Sequence, residues 1–172
     1  MPLDASARRA ILRAGTWTAI ADGLFSSALS TFAYGSTVTR LFQGVAATVL
    51  GDAALQGGTR TALLGVAMHI GVAFTWATVF VLGLSHRAPV RRAMRTIRGT
   101  AVVAALMGPT VWLVMSLAVI PLLLHRAPSL TVRWLVQLVG HAPFVGLPIV
   151  LGARSNLPAS TSAQAEPVRG VA

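Results

Sequence analysis

Cysteine and lysine are both absent from this chain, and acidic residues are scarce: Asp4, Asp22, Asp52 and Glu166 are the whole supply. Without cysteine there can be no disulfide, no thiol nucleophile and no cysteine-ligated metal. Charged residues make up only 10% of the 172 positions, against about 25% in an ordinary soluble domain. Enzyme signatures are missing as well. No G-x-S-x-G, H-E-x-x-H, Walker loop or dinucleotide fingerprint occurs, so the sequence names no catalytic residue.

What the chain does have is apolar length. Hydrophobic residues account for 55% of it, and the mean hydropathy is +0.72. All fourteen basic residues are arginine, giving a net charge of +10. In a soluble protein that excess would suggest nucleic acid. Here the arginines fall in short links between apolar runs, which is the pattern of membrane topology and excludes nucleic acid as the expected partner.

Four stretches are long enough to cross a hydrocarbon core, which takes roughly 20 residues: about 14–34, 61–84, 100–124 and 132–153. The expected fold class is all-α, a polytopic transmembrane bundle of four helices. Residues 1–13 read as an N-terminal arm, 14–153 as the membrane domain and 154–172 as a small, polar, proline-containing tail expected to be disordered. Arg8, Arg9, Arg13, Arg87, Arg91, Arg92, Arg95, Arg98, Arg154 and Arg169 lie on one side of this scheme, and Arg40, Arg60, Arg126 and Arg133 on the other. The positive-inside rule then places both termini in the cytoplasm. "ARRAILR" at 7–13 resembles a twin-arginine export signal. The apolar stretch after it contains Asp22 and lacks a small-x-small cleavage site, so the arginines read as anchors of a first helix.

The link "TRLFQGVAATVLGDAALQGGTR" is too polar for a fifth span and too apolar for an ordinary loop. Read as one helix, Thr48, Asp52 and Gln56 form a polar stripe at i, i+4 and i+8, ended by the glycines after Gln56. Residues 37–56 are therefore expected to be an amphipathic segment, either interfacial or re-entrant. In the second link, Arg91, Arg95 and Arg98 share a helical face with Arg92 beside it. Such a cluster attracts anionic lipid headgroups by about 1 kcal/mol per residue.

Ionisable groups inside a span cost about 2.5–3.5 kcal/mol on insertion scales and usually face the bundle interior. Asp22, His69 and His141 are the three candidates. From a rise of 1.5 Å per residue, each lies roughly 12–13 Å from the end of its span, so three helices bring polar groups to one layer. Thr18, Asp22, Ser26 and Ser30 make a polar stripe on the first span, and Arg133, Gln137 and His141 make another on the fourth. Pro109, Pro121, Pro143 and Pro148 free backbone carbonyls in the third and fourth spans. Asp22, His69, His141, Ser26 and Gln137 are thus the candidate intramembrane site, expected to handle protons or a small solute.

Rival uses follow from the same residues. The polar groups can simply tie helices together in a structural or accessory subunit, with small-residue faces around Gly65 and Gly71 meeting a membrane partner or a second copy. Two histidines at one depth on different helices are also the pattern of axial ligands to a b-type haem, and with Asp22 they make a zinc-like set.

The titratable residue of the first span, "FQGVAATVLGDAALQGG", "LGVAMHIGVAF", "VIPLLL" and "GHAPFVGLPIV" together resemble the small four-span bacterial inner-membrane proteins of unknown function. The resemblance covers about residues 8–153. It implies an α-helical bundle in a bacterial cytoplasmic membrane and brings no substrate, cofactor or catalytic residue with it.

Overall fold

The computed structural model describes residues 4–154, and these form helices throughout with no strand among them. The helices are α1 (Ala5–Ala28), α2 (Val38–Leu50), α3 (Gly58–Val79), α4 (Ala88–Ala93), α5 (Ile97–Val114), α6 (Ile120–Leu124), α7 (Val132–His141) and α8 (Leu147–Arg154). Four π-helical turns extend or join them: Leu29–Ala33, Phe80–Leu84, Met115–Val119 and Ala142–Gly146. Each run therefore reads as one longer rod. Three rods, Gly58–Leu84, Ile97–Leu124 and Val132–Arg154, are long and apolar enough to cross a membrane, and α2 is a shorter apolar helix. The expected tail 154–172 lies, beyond Arg154, outside the described residues.

The prolines explain two of the π turns. Pro121 and Pro143 have no N–H to give, and each sits where the ladder changes register. Ile120 donates five residues back to the Met115 carbonyl, and Leu147 five back to Ala142. The carbonyl of Val139, which Pro143 cannot serve, accepts from the Ala142 N–H instead.

Helices meet where glycine lets backbones touch. A Cβ on Gly108 would stand 1.9 Å from the His141 carbonyl oxygen, and one on Gly146 would stand 2.1 Å from that of Ala104. These contacts lock α5 against the α7–α8 rod. Gly152 meets the Ala14 backbone, so α8 packs on α1. Gly65 meets the Phe42 carbonyl, so α2 packs on α3. At one end of the bundle Ala7, Ala10, Phe80, Val81, Met94, Ile149 and Val150 form a continuous core. That core brings the start of α1, the end of α8 and the arginine-rich link to the same end. Outside it the surface is apolar: Phe32 is 88% exposed and Ile97 82%.

Three expectations need correction. Residues 5–13 are not a separate arm: they are helical and continuous with α1, because Ala7, Ala10 and Ala14 bury a small-residue face. The link 37–56 is not one helix. Gly51 takes φ +69°, open to glycine, and ends α2, after which Asp52–Gln56 winds as a 3-10 turn. The stripe of Thr48, Asp52 and Gln56 is thereby broken. Arg91, Arg95 and Arg98 do not lie on one helix either, since α4 stops at Ala93 and Thr96 caps a new helix by accepting from the Gly99 N–H. All four arginines of that cluster are exposed, while Met94 between them is fully buried.

Candidate functional site

Asp22 on α1 and His69 on α3 face one another: Nδ1 of His69 lies 3.8 Å from Oδ2 of Asp22, and the two side chains are 17% and 16% exposed. The opposite ring nitrogen, Nε2, is 3.0 Å from the Ala19 carbonyl oxygen. Gly23 lies against the ring, where a Cβ would stand in ordinary contact at 3.4 Å from Nε2. A carbonyl oxygen can only accept, so Nε2 carries a proton and donates it. Nδ1 of a neutral ring then turns a lone pair toward the carboxylate. At 3.8 Å the two groups are in electrostatic contact without a direct hydrogen bond, one proton-accepting face turned toward another.

His141 is buried on α7. Its Nδ1 lies 2.7 Å from the Gln137 carbonyl one turn earlier, and its ring sits 4.8 Å, centroid to centroid, from that of Trp112 on α5. Gln137 reaches toward α1, with Nε2 donating to Ser26 Oγ at 3.5 Å. Phe42 of α2 stands edge-on over His69 with centroids 5.8 Å apart. Between these groups is a cavity of about 350 Å³. Asp22, His69, His141, Ser26 and Gln137 all line it, so the structure brings the five predicted residues to one place. Thr18 joins them from the α1 stripe, whereas Ser30 donates instead to the Thr37 carbonyl. Several cavity atoms have no hydrogen-bond partner among the described residues: Thr18 Oγ1, Asp22 Oδ1, Trp112 Nε1 and Gln137 Oε1.

The part of the aromatic wall formed by Trp112 and Phe42 was not predicted. Trp76, Trp112 and Phe42 border the cavity, and a third tryptophan, Trp134, donates its Nε1–H to Ser116 Oγ at 2.9 Å, joining α7 to the π turn after α5. A signal for Trp112 existed. Tryptophan in a membrane helix favours the interfaces, yet Trp112 lies near the middle of the rod Ile97–Leu124.

Among the described residues no group of three His, Cys, Asp or Glu side chains is placed to hold a metal ion, so the zinc-like set is not assembled. The partner face expected around Gly65 is also taken, because α2 of the same chain covers Gly65; Gly71 stays open. At the far end of the bundle Arg126 pairs bidentately with Asp52, the shorter contact being 2.9 Å. Hydrogen bonding by Arg126, together with its charge, holds the Asp52 carboxyl below its usual value. Arg133 stacks on the Tyr34 ring at 4.4 Å.

Comparison with protein-family models, with curated proteins and with solved structures finds no match to this chain. Its class therefore rests on the fold and the site: an all-helical, membrane-type bundle around a small cavity with a buried carboxylate and two imidazoles.

Proposed function

We propose that this chain crosses a bacterial cytoplasmic membrane four times, with both termini inside, and that its cavity handles protons or a small solute. The rod at 5–33 is the fourth span. Its polar stripe lowers its hydropathy because that stripe faces the cavity rather than lipid. The short helix α2 is a re-entrant wall: it packs on α3 and gives Phe42, Val45 and Thr48 to the cavity. Arg91, Arg92, Arg95 and Arg98 meet anionic headgroups on the cytoplasmic side.

One observation carries the reading. Asp22 and His69 face each other at 3.8 Å as a carboxylate–imidazole pair, on a cavity that also exposes unpartnered polar atoms. A group serving only to tie helices spends its hydrogen-bonding capacity on neighbours. His69 does so at Ala19, but Asp22 Oδ1 does not. The test is proton flux into liposomes loaded with a pH-sensitive dye and driven by a potassium diffusion potential. The expected outcome is flux in the native protein and at least a tenfold loss in Asp22→Asn that still elutes as a folded species. Unchanged flux in that variant, with lowered stability alone, would reduce the pair to a helix tie in a structural or accessory subunit.

A further inference from the structure

The cavity combines two kinds of wall. One is apolar and aromatic, built from Phe42, Trp76 and Trp112 with Met68 and Met115. The other is the Asp22 carboxylate, whose Oδ1 has no hydrogen-bond partner among the described residues. Among the described residues no arginine lines the cavity. The titratable groups that face Asp22 from the helices around it are His69 on α3 and His141 on α7, while α2, α5 and α6 contribute none to the lining.

Aromatic faces attract cations through the ring quadrupole, most strongly where water is excluded, and a carboxylate attracts them by charge. Both features reject anions. At about 350 Å³ the space is at the small end of ligand cavities, which run from about 300 to 1,000 Å³, and suits a single-ring or short-chain molecule. The unpartnered Thr18 Oγ1 and Gln137 Oε1 add acceptors for an N–H group.

We propose that the cavity binds a small lipophilic organic cation, with Asp22 as its counter-ion and the aromatic wall around its apolar part, and that its entry displaces one proton from the Asp22–His69 pair. The proposal rests on reading the cavity as a proton- and solute-handling site, and it names the solute class. No bond to carbon forms or breaks: one positive charge enters and one proton leaves to water. His69 keeps its Nε2–H bond to Ala19 throughout, so the ring holds its place beside the carboxylate that meets the ligand's charge.

The probe is benzyltrimethylammonium, charged at every pH, added to the protein in nanodiscs of zwitterionic lipid. Its uncharged isostere, neopentylbenzene, is the control, and empty discs correct for partition into lipid. The expected results are saturable quenching of tryptophan fluorescence, at least tenfold tighter binding of the cation than of the isostere, and tighter binding at pH 8 than at pH 5. In weak buffer with a pH dye, about one proton should be released per cation bound. Asp22→Asn should weaken cation binding at least tenfold and leave the isostere unchanged. If that variant does not fold, the cation–isostere comparison on the native protein decides the matter by itself. Equal binding of the two probes, or cation binding without proton release, overturns the proposal. Asp22-dependent proton flux without cation binding overturns it too, yet leaves the proton-handling reading standing. Cation binding with proton release but no flux supports it, and sinks transport alone.

Discussion

At the residue scale the site turns on what the Ala19 carbonyl does to His69. By accepting from Nε2 at 3.0 Å it fixes which nitrogen bears the proton and aims the other at Asp22. Removing the imidazole leaves a carboxylate with one partner fewer in a low-dielectric setting, which costs more than losing the contact itself. If Asp22 is already asparagine, that penalty disappears. A double-mutant cycle of Asp22→Asn and His69→Ala, read by thermal unfolding in nanodiscs, should therefore give a favourable coupling. Polar contacts between membrane helices average about 0.6 kcal/mol and reach about 1.7, and the pair should fall in the upper half of that range. Additive single effects would mean that the two side chains do not sense each other. The residues themselves were legible in the sequence, because ionisable groups in apolar runs are conspicuous and helical rise places them in one layer. Their companions were less so. Trp112 and Phe42 are apolar enough to pass for lipid-facing residues, and only the azimuth of their helices turns them inward.

At the element scale, close backbone approach decides where His141 stands. Gly108 on α5 abuts the backbone of His141 and Ala142, so even a methyl group there must push α5 and α7 apart. Overpacking of this kind costs about 1–3 kcal/mol. Gly108→Ala should lose that much stability on thermal unfolding and should weaken the Trp112–His141 contact, visible as altered tryptophan emission. Gly71→Ala is the matched comparison, since a Cβ there meets nothing within 4 Å, and it should unfold like the native protein. A Gly108→Ala variant as stable as Gly71→Ala would mean that the helices do not pack this closely. Element boundaries show where sequence reasoning reached its limit. The apolar rods came through because length and hydropathy are summed over many residues. The break at Gly51 did not, because a helical wheel is blind to a single residue that leaves the helix. The same blindness joined Arg91 to Arg98 across the turn at 94–96, where burial of Met94 and the Thr96 cap outweigh the periodicity.

At the scale of the whole molecule, the bundle sorts its charge by end. The core of Ala7, Phe80, Met94 and Ile149 gathers Arg8, Arg9, Arg13, Arg87, Arg91, Arg92, Arg95, Arg98 and Arg154 toward one end, while Arg126 is tied to Asp52 at the other. Packing and the positive-inside rule are independent arguments, and they agree only if the rod at 5–33 crosses along with the three more apolar ones. Were it to lie on the surface instead, Asp22 would have to leave the cavity that it shares with His69 and His141, and Gly152 would lose its seat on Ala14. The absence of cysteine makes the question directly testable, since any introduced thiol is the sole target for a maleimide. His86→Cys and Gln56→Cys are both at exposed positions, one beside the arginine-rich link and one in the turn before α3. In intact spheroplasts a membrane-impermeant maleimide should label Gln56→Cys and spare His86→Cys until the membrane is opened. Labelling at Ala5→Cys, at the start of α1, should follow His86→Cys. The reverse pattern would invert the molecule, and labelling of Ala5→Cys together with Gln56→Cys would place the start of α1 outside and deny the first rod its crossing.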